Sequence, residues 1–379
     1  MGAAVQARFH DSIDAIGEPR WNALAGDQPF LRYAFLAALE RTGCVGPGTG
    51  WQPHHMTLEE DSTLLAAVPL YLKEHSWGEF VFDFAWARAA DLRGHAYYPK
   101  LVLAVPFTPA SGPRVLCAGA ADPARCCAEA LQAVAAHARE QALSSVHALF
   151  IDEQLREAAH AAGWLLRCDC HFQWHNHGFA DFEDFLATFS ADKRKKAHRE
   201  RRRVAEQGIE FQTLEGGQLD AATLQLLYEL HASTFIRHGH LPYLNPAFFQ
   251  QLGQALGPQL IVKLARHGEQ AVAAAIFLRS DTTLYGRYWG AVADYHSLHF
   301  ECCYYQGIDY CIEHGLQHFE PGTQGEHKIA RGFEPALTWS AHWLADSALR
   351  SAVARHLRQE AQAVRQYAAA AAAHVPFRA

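Results

Sequence analysis

The sequence holds little that would place it in a membrane or outside a cell. No stretch approaches the roughly 18 uninterrupted apolar residues that a spanning helix needs. The alanine run at 368–373 is short and weakly apolar, and is expected to be the frayed end of a last helix. The opening MGAAVQARFHDSI lacks the apolar segment of a secretory signal. There is no C-x-x-C among the nine cysteines; they occur as Cys126-Cys127, Cys302-Cys303, Cys168-x-Cys170 and singly. That odd count and spacing suit neither a disulfide framework nor a zinc knuckle, and reduced thiols in a cytoplasmic protein are expected. No G-x-G-x-x-G, G-K-[ST] or G-x-S-x-G occurs, which removes dinucleotide, P-loop and serine-hydrolase readings. The 24 histidines include His175-x-His177 and the pair His238 and His240, but no H-E-x-x-H or acid-rich ligand set, so no metal is expected. Charged residues make up only 19%, and the net charge of −7 gives no global reason for a nucleic-acid or membrane partner.

What is present is core material. Half of the 379 residues are hydrophobic and 12% are aromatic, enough for two domains. Strand-like and helix-like text alternates in a similar order in both halves. FIDEQLREAAHAAGW and FEPGTQGEHKIARGF align without gaps at an offset of 169, matching Phe150 with Phe319, Gly163 with Gly332, and Trp164 with Phe333. Two α/β halves are expected: residues 1–180, a basic linker helix at 181–208, and residues 209–379.

Three segments carry chemistry. In HFECCYYQGIDYCIEH, residues 299–314, Phe300, Cys303, Tyr304, Gly307, Ile308, Cys311 and Ile312 form an apolar stripe at helical spacing. Glu301 and Tyr305 lie one turn apart off that stripe, either solvated or facing a cleft. The preceding strand LYGRYWG brings Arg287 and Trp289 toward the same place. The loop EPGTQGEHKIARGF follows the next strand and offers Glu320, Gln324, Glu326, His327, Lys328 and Arg331. Its carboxylates and imidazole could accept a proton from an attacking ammonium, and its cations could stabilise a carbonyl oxygen becoming negative. A surface loop with satisfied ion pairs is the plainer alternative. The run 193–203 carries Lys193, Arg194, Lys195, Lys196, Arg199, Arg201, Arg202 and Arg203 against one glutamate, leaving −14 for the rest of the chain. It reads equally as a solvated helix and as a contact for the phosphates of a tRNA or of coenzyme A. In YYPKLVLAVPFTPASGPR, residues 97–114, a proline-broken strand is surrounded by Tyr98, Lys100, Thr108 and Arg114, an edge strand or a pocket wall.

These segments, with GRYWGAV and LHFECCYYQGIDYCIEHGL, resemble a bacterial Fem-like family of N-acyltransferases in the GNAT superfamily, described as peptidoglycan biosynthesis or recognition proteins. The resemblance covers nearly the whole chain. It implies two tandem GNAT-like domains, each a mixed, mostly antiparallel sheet flanked by helices, with the site in or near the second. It implies an aminoacyl group taken from aminoacyl-tRNA and placed on a peptidoglycan-precursor amine. Lys328, Arg331, Gly332 and Phe333 match the family's Lys-x-x-basic-Gly-Phe turn, and 193–203 matches its basic segment. GAVADYHSLHFE lacks the R/Q-x-x-G-x-G/A loop of acetyl-CoA-binding GNAT domains, which puts acetyl-CoA in doubt. On this reading Lys328 and Arg331 stabilise or anchor an anion. Glu326, His327 and Glu301 are candidate proton acceptors and Tyr305 a donor, and Gln324, Glu320, Arg287, Trp289, Tyr98, Lys100, Thr108 and Arg114 line the substrates. An acyl-CoA-dependent enzyme, or a non-catalytic binder of RNA or cell-wall fragments, remains the alternative.

Overall fold

The computed structural model describes residues 5–237, 239–323 and 325–378. The chain forms two compact units. The first comprises Met1–Asp169 and Leu337–Gln366, the second Cys170–Ala336 and Tyr367–Ala379. The division therefore differs from the expected one at 180 and 208. Residues 181–208 fold with the second unit, because Phe182, Phe185, Leu186, Phe189 and Ala197 enter its core beside Tyr304, Ile308 and Phe319. The charge that makes this segment resemble a linker in the sequence lies on its outer face. Conversely, Leu349, Val353 and Leu357 pack on Trp86 and Tyr97 of the first unit.

The first unit runs β1 (Gln6–His10), α1 (Glu18–Ala25), α2 (Tyr33–Arg41), β2 (Trp51–Pro53), β3 (His55–Glu60), β4 (Thr63–Val68), β5 (Leu70–Lys73), α3 (Phe84–Asp91), β6 (Lys100–Leu103), β7 (Leu116–Cys117), α4 (Pro123–Glu140), β8 (Ser145–Leu149), α5 (Glu153–Ala161) and the start of β9 (Leu165–His175). One sheet has the order β1-β3-β4-β7; in the other, β8, β6, β5 and β2 follow one another. The β6–β8 pair is parallel, whereas β1–β3, β3–β4, β4–β7, β2–β5 and β5–β6 are antiparallel. The β3–β4 hairpin turns at Asp61 and Ser62, both at positive φ (47° and 67°), as a two-residue hairpin loop requires.

The second unit adds α6 (Phe182–Ala187), α7 (Ala191–Glu206), β10 (Ile209–Glu215), α8 (Ala221–Arg237), α9 (Pro246–Ala255), β11 (Leu260–His267), β12 (Gln270–Arg279), β13 (Thr283–Ala291), α10 (Leu298–Phe300), a π-helical turn (Glu301–Tyr305), α11 (Gln306–Glu313), β14 (His318–Glu320) and a 3-10 turn (Glu326–Arg331). The chain then leaves through β15 (Glu334–Leu344), which pairs with β8 in the first unit's part, and α12 (Ser347–Ala372). The strand order is β10-β11-β12-β13-β14-β9, antiparallel except for β13–β14. Both units are thus mixed, mostly antiparallel sheets with helices.

Two irregularities in the second unit position the site. Ile276 pairs with Tyr288 and Phe277 with Gly286, so Arg287 is the extra residue of a β-bulge. Bulges re-aim side chains and recur beside functional sites. The β13–β14 pairing lasts three residues, to Tyr285 and Glu320, after which β14 ends and β13 continues to Ala291. Just beyond that point Pro321 comes close to Gly286, where a Cβ would lie 3.2 Å from the proline Cα.

Candidate functional site

The segment from Glu320 to Phe333 is built around glycine. Gly322, Gly325 and Gly332 have φ of 93°, 108° and 87°, in the left-handed region that side chains with a Cβ rarely adopt. Gly332 ends the 3-10 turn, and a Cβ there would lie 2.7 Å from Phe185. The next residue, Phe333, is fully buried against Tyr304 and Phe319. The apolar end fixes the turn, and the polar chemistry lies upstream of it.

Lys328 points inward and is 1% exposed. Its Nζ donates to the carbonyl of Gly322 at 2.6 Å, tying the loop to the turn. Burial lowers its pKa to about 7. No carboxylate pairs with it among the described residues. Arg331, three residues on, is also buried but neutralised: its Nη2 donates to both oxygens of Glu200 at 2.8 Å, and Nη1 to the His327 carbonyl at 2.6 Å. Its guanidinium lies 3.4 Å from the Phe300 ring centroid. Arg331 is therefore a clamp between α7 and the turn.

The helix head meets this turn as the sequence suggested, through different atoms. Tyr304 Oη and His327 Nε2 are 2.8 Å apart, and the His299 and His327 ring centroids are 6.1 Å apart. The neutral form of His327 is favoured by burial and then by the charges of Arg331 and Lys328. Burial lowers the His299 pKa to about 4, assisted by His327, Arg331 and Lys328. Glu301 and Tyr305 do not face a cleft: they are 3% and 1% exposed. The π-helical turn inserts a residue into the helical repeat and rotates them inward. Tyr305 donates to Glu200 at 2.7 Å. Glu301 accepts from Gln306 at 2.8 Å and lies 3.2 Å from Arg201, with burial raising its pKa against that cation's influence.

Helix α7 has two faces. Inward, Ala197 and Val204 pack in the core and Glu200 holds Arg331 and Tyr305. Arg201 is also spent, on Glu301 and on Asp309 at 2.6 Å. Outward, Lys193, Lys195, Lys196, Arg199, Arg202 and Arg203 are exposed and Arg194 is half-buried. Ser190 stands at the N-cap without a side-chain capping bond.

Glu326 and His327 are exposed, and Glu326 accepts from Tyr367 at 3.0 Å. Glu320, Arg287 and Trp289 are half-buried, with Trp289 5.3 Å from the His299 ring centroid. Arg287 lies 5.3 Å from the Tyr288 ring, as the bulge allows. Gln324 and His238 lie outside the described residues.

The first-unit candidates are mostly interior. Lys100 is fully buried, donating to Ser76 and Glu79 at 2.9 Å and to Asp83 at 2.6 Å; burial lowers its pKa, but these carboxylates outweigh it. Thr108 donates to the Pro106 carbonyl at 2.9 Å, and Arg114 to the carbonyls of Ala110 and Gly112 at 2.6 and 3.1 Å. These three satisfy backbone or buried acids instead of facing an opening, since a buried charge must be paired. Tyr98 is half-buried and bonded to Ser76 at 2.8 Å.

Sequence reasoning missed Glu200, Tyr304 and His299. Glu200 was detectable as the one acid among eight cations. Tyr304 was hidden by its place in the apolar stripe.

All nine cysteines are free thiols, six of them buried. Among the described residues no cluster of three metal-ligating side chains occurs, and no helix is long and apolar enough to cross a membrane.

The family described as FemAB-like, peptidoglycan biosynthesis/recognition, matches residues 12–379. No curated protein sequence matches. Among solved structures, FemX is similar with a TM-score of 0.51 at 12% identity, covering 92% of this chain and 100% of that one. The C-terminal domain (DUF2156) of a putative lysylphosphatidylglycerol synthetase from Agrobacterium fabrum gives 0.54 at 13% identity, covering 92% and 97%. L-PGS from Bacillus licheniformis gives 0.52 at 11% identity, covering 85% and 95%. These likenesses concern the fold.

Proposed function

This chain belongs to the FemAB-like peptidoglycan biosynthesis/recognition family, and we propose that it is an N-acyltransferase that moves an aminoacyl group from aminoacyl-tRNA to an amine of a peptidoglycan precursor. The observation that carries this reading is Lys328, a desolvated cation with its pKa near 7 and no carboxylate beside it among the described residues, one position from an exposed neutral histidine. FemX shares the fold over its whole length.

In this mechanism the acceptor amine attacks the ester carbonyl. His327 takes the proton that the nitrogen loses, its ring held by Tyr304. The carbonyl oxygen becomes negative and Lys328 supplies the counter-charge, an interaction realised only as the charge develops. Collapse expels the tRNA ribose hydroxyl, which takes the proton back from His327, and an amide bond has replaced an ester bond. Arg331 is a positioning residue, held by Glu200. The outward cations of α7 bind tRNA phosphates, while its inner face fixes the turn. The GAVADYHSLHFE segment, without the acetyl-CoA loop pattern, favours tRNA over coenzyme A as the donor carrier.

The test is the pH dependence of kcat/KM with a weakly basic acceptor amine. The rate rises as His327 loses its proton below pH 6.5 and falls as Lys328 loses its proton near pH 7. Lys328→Arg moves the alkaline limb upward by more than about two pH units, because a guanidinium stays protonated. An alkaline limb unmoved by Lys328→Arg excludes this role.

A further inference from the structure

Helix α5 is nine residues long and buries only Leu155 and Ala159. So short a helix leaves part of the first unit's surface uncovered. An open trench of about 720 Å³ runs between α5 and α12, floored by Trp164, Leu166 and Trp339. Its α12 wall is Ala354, Leu357 and Ala361, spaced as one helical face. Small wall residues admit another helix closely.

The rim is cationic. Arg156, which is paired with Glu153, lines the trench with Arg358 and Arg365, and the one acid in the lining is Glu157, in a chain whose net charge is −7. Arg358 and Arg365 are exposed and make no ion pair among the described residues. Arg156 lies 4.7 Å from the Trp339 ring centroid, capping the floor at one side. Arg358 and Arg365 are seven residues apart, about 10 Å along the helix axis. Two turns of a docked helix span that distance.

We propose that the α5–α12 trench docks an acidic amphipathic helix of a partner protein, apolar side chains on the tryptophan floor and carboxylates toward Arg358 and Arg365. This is helix-in-groove recognition. A nucleic acid fits less well. Trp164 is buried edge and face, and a guanidinium covers one face of Trp339, so a base would stack on a single partly covered ring, whereas the aliphatic side chains of a helix need only the floor and the Ala354, Leu357 and Ala361 wall.

The experiment uses the full chain and a labelled synthetic helical peptide of about 15 residues with leucine at i, i+3, i+4 and i+7 and glutamate elsewhere. Fluorescence anisotropy compares it with a peptide carrying lysine for every glutamate and with an oligoadenylate. The acidic peptide binds at least about tenfold tighter than the lysine peptide. The double variant Arg358→Glu with Arg365→Glu loses that preference, and Ala361→Trp, which fills the trench without changing charge, weakens binding by a similar factor. Circular dichroism checks that each variant is folded. Equal binding of the lysine peptide, displacement by oligoadenylate, or undiminished binding to folded Ala361→Trp overturns the proposal. The docking site is independent of the transferase reading, since none of its residues belongs to that site.

Discussion

Replacing Lys328 by methionine should stabilise the second unit while removing activity, and the stabilisation should depend on pH in a direction that burial dictates. The folded amine has a pKa of about 7 against 10.5 for a free lysine. At about 1.4 kcal/mol per decade, the ammonium form is disfavoured by about 5 kcal/mol in the folded state. Between those two values the unfolded chain holds the proton and the folded chain does not. Stability therefore rises with pH from about 7 to about 10.5, and below 7 the full penalty applies. Methionine has similar length and does not titrate. It loses the bond to the Gly322 carbonyl, at a cost of about 1 kcal/mol. The net gain is then about 3 to 4 kcal/mol at pH 6.5, falling to near zero at about pH 9.5. The assay is hydrogen exchange of the β13 and β14 amides under graded urea, which reports the second unit alone and does not require both units to unfold together. A gap that stays constant between those pH values, or a methionine variant less stable at pH 6.5, refutes the reasoning. Transfer by the same variant should fall by about 10²–10³-fold, the size of losing one oxyanion partner.

Three further outcomes follow from the second unit's structure. Glu200→Gln leaves Arg331 buried without its counter-charge and should destabilise the second unit by about 3–5 kcal/mol in urea unfolding. Lys196→Glu with Arg199→Glu should weaken tRNA binding and flatten its salt dependence by about one to two in log–log slope, with no change in the melting temperature. Gly290→Ala would place a Cβ 1.9 Å from the Leu230 carbonyl of α8, so it should destabilise the α8–β13 contact by more than about 3 kcal/mol, seen as lost exchange protection there.

Much of the fold was legible because periodicity reports burial. The apolar stripe of 299–314 falls on helical backbone, with Ile308 and Cys311 fully buried in the second unit's core. The unit boundary was not legible: Phe182, Phe185 and Phe189 sit next to a charge run that draws attention outward, and only the packed core shows where they go. The Lys328 turn could be read from its glycines and from the resemblance. The fates of Glu301 and Tyr305 could not, because a helical wheel assumes about 3.6 residues per turn and the π-helical turn breaks that assumption. Lys100 and Arg114 misled for a related reason. Sequence shows a cation but not the buried carboxylates or carbonyls that consume it.

The most direct measurement is mass-spectrometric detection of amide product after the purified chain is incubated with mixed aminoacyl-tRNAs and peptidoglycan-precursor amines, with Lys328→Ala in parallel. The account predicts an aminoacylated precursor with the native chain and at least about a hundredfold less with the variant. No product from any aminoacyl-tRNA, or equal product from both proteins, contradicts it.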